Sequence, residues 1–524
     1  MKPGTWKLGD APVGDRPTFL SHALEMSLRY GVGPWPEEAQ LLPDEPPSAD
    51  DGGVFISTAV LDGINTHHFR PGSDPGAVGE IADLLQSLVT APPHPGDLAR
   101  LHERAADPPA LDIADALLDE LRHRRLPKDR LHAVGRHLAE HGTRRNATKI
   151  GLVLVGACGD TRDRGLLLLL GALEEFTLYA VVALTRTQPD PQRAAYELAR
   201  RVQGWGRIHA VERLEGCDDP EIKAWLLRDG FSNGIMDEYL AHLAATTGDL
   251  YSALLESEID DDLLDGAGGI LSALALGGPA EDMTDYADAV PALSRYAELI
   301  DWHEATVGRL NHLLGVAWFL RSPPEGLDWP DTDLRGLRDR YEELLRQPRW
   351  QDLVLGHLAD PFRKDFAATL WTASRLGLPV VPHAMTYLDL NPLDQHAWHV
   401  AMENATPAEA ALLTGLAERL LPLEELAGGP ADHLAFGPGR EADWILNSLV
   451  SSLGAFPGTG LPLIRVGLAT RIIQIRRAAL DALSAWPAEA VPEEALGWVR
   501  AALPGEPDDE VREQMAALTA GRTR

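Results

Sequence analysis

Cysteine is nearly absent. The 524 residues contain two, Cys158 and Cys217, 59 positions apart and in no Cys-x-x-Cys pair. That excludes a disulfide framework and a zinc knuckle written in the sequence, and it suits a reducing, cytoplasmic setting. Aromatic residues are scarce too, at 6%. Basic residues number 47 against 79 acidic ones, a formal net charge of −32. A field of that sign repels phosphate backbones and anionic lipid, so neither nucleic acid nor membrane is expected as a partner. Long hydrophobic runs are missing: the longest uncharged stretch, Trp444 to Ile464, is interrupted by Pro457, Pro462 and three glycines. The opening Met1 to Lys7 lacks the apolar core of a signal peptide, so none is expected. Phosphate cradles are incomplete. Gly266-Ala267-Gly268-Gly269 has no third spaced glycine, Gly458-Thr459-Gly460 is not followed by Lys and a hydroxyl residue, and Gly-x-Ser-x-Gly does not occur. No cofactor is called for by these patterns.

What the chain does contain is helix. Hydrophobic residues reach 45%, and Ala and Leu dominate, as expected where helices pack closely. Residues 1–97 are rich in Pro, Gly and Asp and read as an irregular arm or cap. Within them, Val54 to Leu61 reads as a short strand or a buried helical turn. Residues 98–320 read as helix after helix, with Ile113, Leu117 and Leu121 on one stripe and Asp219-Pro220 as an N-cap with a first-turn proline. Residues 321–440 form a second helical region with linkers. Pro323-Pro324, Gly326 and Pro330 mark a change of direction within 321–345, and residues 428–439 a loop. Residues 441–524 close the chain. The dense basic segment from His123 to Arg145 reads as a solvated helix face.

The clearest pattern is a repeat. Ile475-Arg476-Arg477-Ala478-Ala479-Leu480-Asp481-Ala482-Leu483 returns 36 residues later from Val511 to Leu518, and Tyr179 to Leu184 is echoed 30 residues on by His209 to Leu214. That spacing is one two-helix unit. Ile475, Arg476, Ala478, Ala479, Ala482 and Leu483, then Val511, Arg512, Met515, Ala517 and Leu518 behind Asp508-Asp509, resemble the first helix of a HEAT repeat. The resemblance implies an all-α chain of stacked helical hairpins, an α-solenoid of armadillo type, that serves as an interaction scaffold.

Candidate sites lie away from those copies. Trp205-Gly206-Arg207-Ile208-His209 with Glu212 joins hot-spot residue types to two glycines, Gly204 and Gly206. The glycines either let a partner chain approach or close a tight turn around a buried Trp. A companion loop offers Asp229 and Asn233. The expected function is binding of another protein, with a basic or amphipathic surface, on an acidic concave face; a narrower form is an inhibitor or immunity-type protein for a basic partner. An enzyme alternative rests on Asp261-Asp262-Leu263-Leu264-Asp265, similar to the Asp-Asp-x-x-Asp phrase with which class I terpenoid synthases hold Mg²⁺ on a diphosphate. Their second metal element is missing, since Ala455 follows Asn447 and Ser451 where the acid belongs. HEAT-like hydroxylases hold iron through four His-Glu pairs. Only His102-Glu103 and His303-Glu304 occur here, 201 residues apart.

Overall fold

The computed structural model describes residues 6–8, 16–44, 57–68, 72, 74–94, 96–433 and 439–521. The chain is all-helical. Among the described residues, thirty α-helices, several short 3-10 turns and a π-helical turn at Leu226–Gly230 account for the regular structure, with no strand, only an isolated bridge between His433 and Ile472. No helix among them is long and apolar enough to cross a membrane. The chain divides into two compact units, one built from residues 1–47, 56–303 and 315–341, the other from 48–55, 304–314 and 342–524.

The first unit begins earlier than its composition suggests. The segment expected to be an irregular arm forms helices α1 (Phe19–Tyr30), α2 (Thr58–His68) and α3 (Pro75–Thr90), with Thr18 and Asp74 capping α1 and α3 through their side chains. Of Val54 to Leu61, residues 54–56 lie outside the described part and the remainder leads into α2. Pro34, Pro43, Pro92 and Pro93 lie outside the helices, Pro75 opens α3, and Gly63, Gly76 and Gly79 sit inside helices, so a breaker-rich composition here does not exclude helix. Then follow α4 (Asp97–Ala106), α5 (Ala110–Arg124), α6 (Lys128–His141), α7 (Arg145–Cys158), α8 (Glu174–Thr187), α9 (Pro191–Ala199) and α10 (Gly204–Val211). Alternate helices touch: α5 packs on α7, α7 on α8 and α8 on α10, while α6, the short helix Arg164–Leu170 and α9 lie between successive members in sequence. The two echoed phrases, Tyr179 to Leu184 and His209 to Leu214, therefore start on helices that are direct neighbours. Further on, Asp260 caps α11 (Asp261–Leu276) by accepting the Leu263 N–H at 2.7 Å.

Buried charge holds α2 in place. Lys149 on α7, 1% exposed, reaches Asp62 of α2 at 2.8 Å and Glu175 of α8 at 2.5 Å. The Tyr179 hydroxyl donates to Asp62 at 3.0 Å, and Arg145 joins Glu175 to Asp44. On α4, His102 is 1% exposed and its Nε2 accepts the Thr143 N–H at 3.2 Å. Burial pushes its pKa below the usual value; Glu103 partly opposes that shift and Arg144 adds to it. The unfolded chain therefore binds this proton more readily. Its contribution to stability is complete above about pH 6.5 and is lost as the pH falls below that value. Denaturation midpoints followed from pH 8 to pH 5 are expected to fall less steeply in His102→Gln than in the parent chain.

In the second unit the helices lie in two rows. One row is α12 (Phe366–Arg375), α14 (Gln395–Glu403), α16 (Glu441–Ser452), α18 (Ile473–Ala485) and α20 (Asp509–Gly521). The other is α13 (Val381–Leu390), α15 (Pro407–Leu420), α17 (Leu461–Leu468) and α19 (Glu493–Ala502). Each helix packs on the next of its own row, and the pairs α13 with α14, α16 with α17, α17 with α18 and α19 with α20 tie the rows together. Ile472, Ile475, Ala479, Leu483 and Trp486 are all buried, and Asp508 caps α20 through the Val511 N–H at 2.9 Å. Arg476 is fully buried. Its guanidinium grips Glu506 at 2.7 and 2.8 Å and donates to the carbonyls of Ala431 and Thr470, while Arg512, its repeat equivalent, donates to the carbonyl of Glu506. The 321–345 linker is shorter than its prolines suggest: residues 322–330 are non-helical and Asp331–Leu345 is a helix.

Candidate functional site

Helix α10 is short, and all residues from Trp205 to Val211 are buried. Both flanking glycines serve internal packing. A Cβ on Gly204 would lie 2.2 Å from a Glu174 carboxylate oxygen, and one on Gly206 would lie 2.8 Å from Thr177 Oγ1. Gly204 also holds a φ of +63°, which favours glycine. The Trp205 N–H donates to Glu174 at 2.7 Å, and its indole, 5% exposed, lies against Gly63 of α2, where a Cβ would meet the ring at 2.2 Å.

Arg207 and Asn233 are interior residues, 2% and 0% exposed. Arg207 donates to the carbonyls of Val202, Asp229 and Ser232, and reaches the Asp229 carboxylate at 3.3 Å. Burial lowers its pKa, an effect that Asp229 opposes. The Asn233 side chain accepts the Ile235 and Met236 N–H groups and donates to the Met236 carbonyl. With their polar groups spent inside, these two fix the 229–236 loop; they are not presented to a partner. That loop delivers Tyr239 to the site.

The residues that converge are His67, His68, Trp205, His209, Glu212 and Tyr239. The His67 ring lies 5.3 Å from Trp205, 5.4 Å from His209 and 5.2 Å from Tyr239, and His68 Nε2 is 2.7 Å from the Tyr239 hydroxyl. His67 Nε2 stands 2.7 Å from Glu212 Oε1, and His209 Nδ1 is 3.8 Å from Glu212 Oε2. His67 Nδ1 lies 2.8 Å from the Gly63 carbonyl. A carbonyl only accepts, so Nδ1 carries the proton and Nε2 faces the carboxylate. The bond to Glu212 raises the His67 pKa against the effect of burial. Burial alone would raise the Glu212 carboxyl, but the rings of His209 and His67 more than offset it and draw it down to about 2. His209 is 4% exposed, and its Nε2 is buried without a hydrogen-bond partner.

Three of the six sequence-selected residues, Trp205, His209 and Glu212, thus share one cluster, while Arg207, Asp229 and Asn233 support the loop beside it. His67, His68 and Tyr239 had no signal beyond His67-His68 being the one adjacent histidine pair in the chain. Among the described residues, His67, His209 and Glu212 form the group of metal-ligating side chains whose donor atoms all lie within 4.8 Å of one another. The acids proposed for Mg²⁺ sit elsewhere. Asp261 and Asp262 are exposed in the first turn of α11 and Asp265 is half-buried one turn on. Carboxylates are favourable at a helix N-terminus without any ion, because the peptide dipoles point their positive end there.

Two cavities flank α7. One, of about 450 Å³, is lined by Leu118, Leu121, Leu126, Leu131, Leu154 and Cys158, with Arg122, Arg125 and Lys128 at its rim. The other is a groove of about 170 Å³ in which Leu111 and Ala114 of α5, Val153 of α7 and Leu178 and Val182 of α8 line up, with Asp115 and Arg186 at the edges. No protein-family description, curated protein or solved structure matches this chain.

Proposed function

We propose that the chain is a cytoplasmic helical-repeat scaffold of the stacked-hairpin, HEAT-like kind, which binds an amphipathic, basic segment of another protein. The alternate-helix packing supports the architecture, because it is the neighbour-on-neighbour arrangement that a solenoid requires. The observation that carries the binding role is the groove across α5, α7 and α8. Its half-buried Leu111, Ala114, Val153, Leu178 and Val182 come from three helices packed side by side and make an apolar strip of the kind a partner helix fills. The net charge of −32 selects for basic residues on the partner's other face.

A photo-crosslinking residue placed at Val182 is expected to trap one defined protein inside cells. The same residue at exposed Leu412, in the second unit, is the control. The adduct is expected to diminish with added salt, as the charge argument requires. An identical adduct pattern at both positions, or none at Val182, would remove the binding role.

A further inference from the structure

We propose that His67, His209 and Glu212 form a binding site for a divalent first-row transition metal, with Zn²⁺ as the reference ion. The donor set is the first argument. Two imidazoles and one carboxylate suit Zn²⁺ and its neighbours, whereas Mg²⁺ and Ca²⁺ prefer oxygen alone.

Geometry is the second. With metal–ligand bonds of about 2.0–2.2 Å, a tetrahedral centre spaces its donors by about 3.3 Å. The 2.7 Å and 3.8 Å separations at Glu212 lie on either side of that value, and all three donors lie within 4.8 Å of one another.

The third argument is tautomeric. The Gly63 carbonyl fixes the proton of His67 on Nδ1, the outer arrangement that metal-bound histidines adopt, and in the neutral ring this leaves Nε2 with a lone pair directed at a carboxylate oxygen. Two acceptors at that distance need something positive between them, either a second proton or a metal ion. His209 turns its Nδ1 toward the same carboxylate, 3.8 Å from Oε2, which makes that nitrogen the third donor.

Three protein donors leave a fourth position for water. Solvent has access on the Glu212 side, whose side chain is 34% exposed against 16% for His67. Trp205 and Tyr239 both pack against the His67 ring and against each other, 5.2 Å apart. Bound metal would also pin α2, since His67 and Glu212 are 145 residues apart in sequence.

The test uses the full chain after chelator treatment, titrated with Zn²⁺ and separately with Co²⁺. One equivalent is expected to bind, with a tetrahedral Co²⁺ absorption band, imidazole scattering at the zinc X-ray absorption edge, and slower amide exchange across 58–68. His67→Gln, at a half-buried position, should weaken binding by more than the ~10–100-fold that loss of a supporting hydrogen bond costs. His399→Gln, at an exposed position in the second unit, should leave the affinity unchanged. Failure of the folded parent chain to bind either ion, or affinity undisturbed by His67→Gln, would overturn the site and leave His67 and Glu212 as a plain ion pair. Should His209→Gln fail to fold, the spectra of the parent chain still decide.

Discussion

Replacing Arg476 with alanine is expected to lower the stability of the second unit by about 3–5 kcal/mol, because it strands the Glu506 carboxylate in the interior. Glu506 is 3% exposed, and both of its oxygens are taken up by the Arg476 fork. The arginine also satisfies the Ala431 and Thr470 carbonyls, so it joins three segments of chain at one buried point. The double variant Arg476→Met with Glu506→Leu removes both charges and should recover much of the loss, since an apolar pair of similar volume often matches a buried ion pair. Urea denaturation followed by circular dichroism measures both. If the double variant were as unstable as the single one, the effect would belong to the carbonyl contacts and not to the stranded charge.

Lys149→Met is the counterpart in the first unit and should cost a similar ~3–5 kcal/mol by leaving Asp62 and Glu175 without their shared cation. Its consequence reaches further than stability. Asp62 immediately precedes Gly63, whose carbonyl fixes His67 and whose open Cα face admits the Trp205 ring. Loosening Asp62 should therefore free α2 from α7, α8 and α10 together. Amide exchange across 58–68 is expected to accelerate in Lys149→Met well beyond the change seen in α9. Equal acceleration in both helices would mean global loosening and would separate the ion network from the seating of α2.

Much of the helical architecture could be read from the sequence for a local reason. Asp219 with Pro220, and Asp508 ahead of Val511, are N-cap chemistry within a few residues, and the stripe of Ile475, Ala479 and Leu483 follows from 3.6-residue periodicity. The N-terminal segment is harder to read, because prolines between its helices, such as Pro34, Pro43, Pro92 and Pro93, and Pro75 at the start of α3 hide α1 to α3. The cluster around His67 was half legible. Trp205, His209 and Glu212 lie within eight residues of one another and looked unusual together, whereas His67 and Tyr239 arrive from distant segments by tertiary packing that no local pattern encodes. The glycines flanking Trp205 illustrate the same limit. Sequence left open whether another protein or this one approaches them, and the neighbours turn out to be Glu174 and Thr177 of the adjoining helix.

The near absence of cysteine acquires a practical meaning at the cavity beside α7. Cys217 is buried, whereas Cys158 is half-buried in the wall of that cavity, and burial raises its thiol pKa against the pull of Lys128. A maleimide dye at mildly alkaline pH would therefore mark one place on the protein, slowly, and an occupant of the cavity would shield it. The chain carries a single built-in attachment point whose labelling rate reports on whether that cavity is filled.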